Sequence, residues 1–145
     1  MSNRINLAKV DAKAMEAMVG LEKYIAQTGL DKKLYELIKT RASQMNGCAY
    51  CINMHVRDAM KMGETDQRLF LLDAWRETTL YTPKERATLA LTEAMTFITN
   101  GHVPDEVYNE AAAHLSEKEL AAVIMTVVTI NGWNRIAITL RSPLD

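Results

Sequence analysis

The sequence predicts an all-α fold of six to eight helices, and three observations predict it. Apolar residues recur at steps of three and four along most of the chain. Two segments carry the reciprocal Ser/Thr and Glu signals that open helices, and no stretch of useful length alternates apolar and polar residues between turns. The length of 145 residues and the absence of any linker or low-complexity run favour one domain over residues 1–145. With 48% apolar and 24% charged residues, such a chain buries a core without staples.

The elements follow in order. Leu7, Val10, Ala14, Met18, Leu21 and Ile25 make one stripe, which predicts a single first helix ending at Gly29. A second helix is expected from Asp31 to Met45, with Leu34, Leu37, Ile38 and Met45 turned inward. Asn46-Gly47 interrupts it and supplies the candidate N-cap of a third helix, from near Cys48 to before Gly63. Thr65 is placed to cap a fourth, carrying Leu69, Leu72 and Trp75. Thr82-Pro83-Lys84-Glu85 combines a capping Thr, an N1 proline and an N3 glutamate, and predicts a helix to about Ile98. Pro104 starts a short helix through His114, and Ser116 to Glu119 opens a long one toward Leu140 that Gly132 is expected to bend or interrupt.

A formal net charge of −1 gives no global pull toward nucleic acid or anionic lipid. No apolar h-region follows Arg4 and Lys9, and the apolar run from Ala121 to Ile130 is too short to span a bilayer. A cytoplasmic protein without membrane or nucleic-acid partners is the expectation. In that reducing compartment two cysteines do not make a permanent structural disulfide.

The chemistry concentrates in Cys48-Ala49-Tyr50-Cys51 and His55. On a helix, positions 48, 51 and 55 fall on one face. Two such thiols can cycle between dithiol and disulfide with little backbone movement. A helix N-terminus or a neighbouring imidazole lowers a thiol pKa and exposes the reactive thiolate. His55 stands one turn from Cys51 and can exchange a proton with it, and Glu36 on the preceding helix is the candidate partner that fixes the imidazole. Other readings of the same residues are a zinc site using Cys48, Cys51 and His55, or two buried structural cysteines. No second Cys/His pair at zinc-ribbon spacing accompanies the first. A thioredoxin fold is disfavoured because its motif needs a βαβ context.

Glu36, Cys48-x-x-Cys51 and His55 together resemble the signature of the AhpD-like alkylhydroperoxidases of the carboxymuconolactone decarboxylase superfamily. The stretch from Arg41 to His55, the segment from Pro83 to Glu93 and the run from Ile130 to Arg135 are similar to that group as well, so the resemblance spans most of the chain. It implies an AhpD-like helical bundle that assembles into a homo-oligomer, with a hexamer preferred. It implies a thiol-dependent peroxidase in which Cys51 attacks the peroxide, Cys48 resolves the sulfenic acid to a disulfide, His55 takes the Cys51 proton and Glu36 links His55 to solvent. No bound cofactor or metal is implied. An external dithiol such as a lipoylated carrier would restore the enzyme. Better-studied members carry a histidine between the cysteines; Tyr50 stands there in this chain, so the relay is shortened or rerouted. The other functions carried forward are a redox sensor or disulfide-exchange protein, and a metal-binding or structural oligomer.

Of the remaining residues, Glu85 is read as the capping glutamate and Glu93 as a supporting acid that could approach the site. His102 reads as a loop residue and His114 as a cation near a helix end. Trp75 and Trp133 read as core or interface anchors.

Overall fold

Every long periodic segment forms a helix. The computed structural model describes residues 3–144, and no strand occurs among them. Eight α-helices and one 3₁₀ helix follow one another: α1 Leu7–Val10, α2 Ala12–Gln27, α3 Lys32–Asn46, α4 Ala49–Lys61, α5 Asp66–Phe70, the 3₁₀ helix Leu72–Glu77, α6 Pro83–Thr96, α7 Asp105–His114 and α8 Glu117–Leu140.

The expected single first helix is two. Asp11 adopts an extended conformation and its carboxylate accepts from the backbone N–H groups of Lys13 and Ala14, so it ends α1 and caps α2. Val10, assigned to the apolar stripe, is consequently 67% exposed. The expected fourth helix also divides. Thr65 caps α5, but the chain then tightens into the 3₁₀ helix, which still buries Leu72 and Trp75. Both capping boxes form as the sequence indicates, at Thr82/Glu85 and Ser116/Glu119. Gly132 does not interrupt α8. A Cβ there would meet the Met18 Cε at 3.0 Å, so the missing side chain makes room for Met18 of α2.

The core is built around α3 and α8. Leu34 and Ile38 of α3 pack with Leu91 of α6 and with Val123 and Val127 of α8. Full burial of each such side chain contributes about 1.5–3 kcal/mol. Leu37 of α3 packs in a second cluster with Leu72, Trp75, Tyr81 and Leu89. A third cluster joins Ala42 of α3, Cys48, Cys51 of α4, and Ile130 and Ala137 of α8, so the two sulfurs lie in the core itself. By length and composition α8 is long and apolar enough to cross a membrane. In this fold it packs against α2, α3, α4, α6 and α7 and forms the central support of the bundle.

Candidate active site

The site is made by the reversal between α3 and α4. Gly47 closes α3 in the left-handed region, at φ 68°, where a side chain is strained. The Cys48 N–H then donates to the Ser43 carbonyl at 3.0 Å. Cys48 itself, rather than Asn46 or Gly47, is the N-cap of α4, and its Sγ accepts the Cys51 N–H at 3.4 Å. The helix start thus aims a backbone donor at the first sulfur. Cys48 and Cys51 are joined by a disulfide, with their Cα atoms 5.4 Å apart. They are 1% and 2% exposed, respectively.

Asparagines fasten this reversal to α8. The Asn46 side-chain amide donates to Asn131 at 2.9 Å and to Asn134 at 2.8 Å. Asn134, fully buried, donates onward to the Ser43 hydroxyl at 3.0 Å. Asn131 donates to the Thr96 hydroxyl of α6 at 3.2 Å. The Ile130–Arg135 stretch and the Asn46-Gly47 turn are therefore parts of one device that fixes where the sulfurs stand.

α4 then returns along α3 and brings His55 against Glu36, with Nδ1 and Oε2 2.8 Å apart. Both side chains are buried. With Nδ1–H donating to the carboxylate, Nε2 remains as the basic nitrogen of the ring. All four residues singled out from the sequence, Glu36, Cys48, Cys51 and His55, thus lie on the two helices of one hairpin. Among the described residues, Glu36, His55 and Asp58 also bring three possible metal-ligating atoms within 4.8 Å of one another.

A cleft of about 830 Å³ opens on this group. Cys51, His55, Glu36, Tyr50 and Asp58 line it, and Cys48 does not. Its remaining wall is largely apolar, with Ile5 and Leu7 near the N-terminus, Met15 of α2, Met54 of α4, and Ile136 and Leu140 of α8.

A second polar group in the cleft was not legible from spacing. Lys39 of α3 is 1% exposed and forms an ion pair with Glu22 of α2. Tyr35 donates its hydroxyl to the same carboxylate at 2.5 Å and accepts from the Lys39 ammonium at 2.5 Å. Trp133 completes the set, its indole N–H donating to Glu22 at 2.9 Å. Burial alone would raise the Glu22 pKa, but the donors Lys39, Tyr35 and Trp133 together hold it below the usual carboxylate value. Burial pushes the Lys39 ammonium below its ordinary pKa in spite of Glu22, and pushes the Tyr35 phenol up. The available signal was a lysine three residues after Glu36, next to the inward-facing Ile38; its partner lies on another helix with no spacing rule to find it. Trp133, read as a core or interface anchor, is a wall of the cleft as well.

Glu93 does not join the site. Its carboxylate takes the Arg41 guanidinium and the Trp75 indole, each at 2.8 Å, and pairs with Arg76. These partners bind it on the α6 side of α3, and it does not line the cleft. Glu85 caps α6 as expected and also takes Arg68 at 2.7 Å. His102 lies in the turn after α6, and His114 ends α7 beside Glu110 at 3.0 Å.

The fold and site define an all-helical protein with a buried CxxC disulfide on a helical hairpin, beside an open cleft. Residues 12–94 match the model of the carboxymuconolactone decarboxylase family, and the chain belongs to that family. YdfG of Bacillus subtilis is 44% identical over 140 residues, covering 97% of this chain and 95% of its own. The crystal structure of ATU0492 from Agrobacterium tumefaciens, a protein of unknown function proposed to be the antioxidant defence protein AhpD, superposes with a TM-score of 0.95 at 39% identity and covers 99% of both chains. The debrominase Bmp8 shares the fold at 22% identity, with a TM-score of 0.80 over 89% of this chain and 69% of that one.

Proposed function

We propose that the protein is a thiol-dependent peroxidase acting on organic hydroperoxides in antioxidant defence. One observation carries the reading: the cleft reaches Cys51, next to the Glu36–His55 pair, while Cys48 sits behind it within disulfide distance. In the dithiol form, His55 takes the Cys51 proton, with Glu36 stabilising the imidazolium that results. The thiolate attacks the terminal peroxide oxygen, the O–O bond breaks, Cys51 becomes a sulfenic acid, and the inner oxygen takes a proton and leaves as the alcohol. Cys48 attacks that sulfur, water leaves, and the disulfide seen here is formed. An external dithiol, a lipoylated carrier by preference, reduces the disulfide. The apolar wall of the cleft suits an organic hydroperoxide body. The similarity to a protein proposed to act in antioxidant defence as AhpD supports the same reading. A cytoplasmic homo-oligomer, hexameric by preference, is the state proposed with it.

The test is peroxide consumption under dihydrolipoamide by wild type and by Cys51→Ser. Sustained wild-type turnover and no reaction of Cys51→Ser, even once, are expected. Disulfide formation without turnover would move the assignment to a redox sensor or exchange protein.

A further inference from the structure

Among the described residues, Lys39 is the one ammonium that borders the cleft from within the core, and the thiol steps give it no task. A buried ion pair is weak evidence for stability, because apolar residues of similar volume usually serve as well. Its place in the hairpin supplies another reason. Glu36 of α3 touches His55 of α4, which sets the register of the two helices across the Gly47 turn. Lys39 lies three residues nearer that turn on α3, and Cys51 lies four residues nearer it on α4. At about 1.5 Å per residue these are displacements of about 4.5 and 6 Å along neighbouring helices. The backbones of Lys39 and Cys51 therefore stand at about the same level of the hairpin, and both residues line the same cleft. Of its three N–H donors, one goes to Glu22 and one to the Tyr35 hydroxyl. The third makes no hydrogen bond among the described residues, and the ammonium stands 4.3 Å from the centroid of the Tyr35 ring.

We propose that Lys39 is the general acid for peroxide cleavage, donating a proton to the oxygen that leaves when Cys51 attacks. This rests on the peroxidase reading. The Cys51 sulfur bonds to the terminal oxygen of ROOH, which keeps its hydrogen and becomes the sulfenic OH. The O–O electron pair goes to the inner oxygen, and the resulting alkoxide takes a proton from the Lys39 ammonium and departs as ROH. Neutral Lys39 regains its proton from solvent, while His55 releases the thiol proton there, so no oxidant beyond the peroxide is consumed. The groups facing Lys39 suit this task. Glu22 opposes the effect of burial and favours the charged form of the ammonium. Burial weakens the hold of the ammonium on its proton, which makes it a better acid than an exposed lysine. The hydrogen bonds from Tyr35 and Trp133 hold the Glu22 carboxylate in place.

The leaving group decides the matter. A peracid expels a carboxylate, which needs no proton at neutral pH, whereas an alkyl hydroperoxide expels a strongly basic alkoxide. Single-turnover oxidation of the reduced protein is followed with tert-butyl hydroperoxide and with peracetic acid. Lys39→Met should slow the first by about 100-fold, the lower end for a general acid, and the second by only a few-fold. Lys39→Met combined with Glu22→Gln removes both charges and should give the same selective loss, which keeps the test valid should the single variant misfold. Equal losses with both peroxides, or no loss with either, overturn the assignment of Lys39 and leave the peroxidase reading intact. A wild-type protein that consumes neither peroxide through Cys51 removes that reading, and this one with it.

Discussion

His55 Nδ1 stands 2.8 Å from Oε2 of Glu36, and this contact joins the two arms of the hairpin that carries the disulfide. The carboxylate fixes the ring so that Nε2 is the basic atom, and its charge stabilises the protonated imidazole. His55→Gln should slow Cys51 oxidation by about 100-fold near neutral pH, since the general base is lost. Glu36→Gln should cost less, roughly 10-fold, because a neutral amide still orients the ring without stabilising its charge. Both defects should shrink as pH rises and the thiol ionises unaided. Stopped-flow rates of single-turnover oxidation across the neutral-to-alkaline range check this. A defect that stays constant with pH would mark a structural role instead.

Cys51 lines the cleft and Cys48 does not, although the Cys51 N–H is aimed at the Cys48 sulfur. The two observations favour different thiols, and access decides which meets the peroxide. Cys48→Ser should react once and leave a sulfenic acid on Cys51 that a dimedone-type probe traps, since no resolving thiol remains. Cys51→Ser should leave Cys48 unmodified. Mass spectrometry of the labelled peptides separates the cases, and label on Cys48 of the Cys51→Ser protein would reverse the roles.

Much of this arrangement is legible in the sequence because it depends on local rules. The capping boxes at Thr82 and Ser116, the Thr65 cap and the apolar positions of α3 follow from contacts within a turn or two. The row of Cys48, Cys51 and His55 is local in the same sense. Periodicity failed at Asp11, where one side chain capping two N–H groups outweighs a continuous apolar stripe. The expected interruption at Gly132 does not occur, because the reason for the glycine, Met18, is on another helix. Glu22, Lys39, Tyr35 and Trp133 come from three helices, and their meeting depends on tertiary packing alone. Glu93 is the converse case. The sequence reads it as a supporting acid that could approach the site, and the long-range partners Arg41 and Arg76 hold it elsewhere.

The asparagines that fasten the turn make a separate prediction. Asn134 is fully buried, accepts from Asn46 at 2.8 Å and donates to Ser43 at 3.0 Å. Asn134→Ala deletes both bonds and leaves their partners unsatisfied, at about 2–4 kcal/mol in all. Urea unfolding of the reduced protein should show that loss. Peroxide reactivity should fall too, because the Ser43–Cys48 segment loses its anchor on α8. Unchanged reactivity in a destabilised Asn134→Ala protein would show that the sulfurs are held by the helices alone.

Glu93 provides a test of stability against pH. Burial would raise its pKa, but hydrogen bonds from Trp75, Arg76 and Arg41 and the charge of Arg41 hold it below the usual carboxylate value. A carboxyl whose pKa is depressed by folding contributes stability that is fully present above its unfolded value of about 4.3. That contribution is lost as pH falls through the folded value, because the unfolded chain then binds the proton first. Glu93→Gln should therefore be less stable than wild type at pH 7 by roughly 2–3 kcal/mol, the range for a hydrogen-bonded charged group of this kind. The gap should narrow as the solution is acidified below the unfolded carboxyl value, since the wild-type side chain loses the charge that distinguishes it. Denaturant unfolding of both proteins at neutral pH and at several acidic values reads the difference directly. A gap that stays the same from neutral to acid conditions would mean that Glu93 supports the 3₁₀ helix through shape and hydrogen bonding, with its charge contributing nothing.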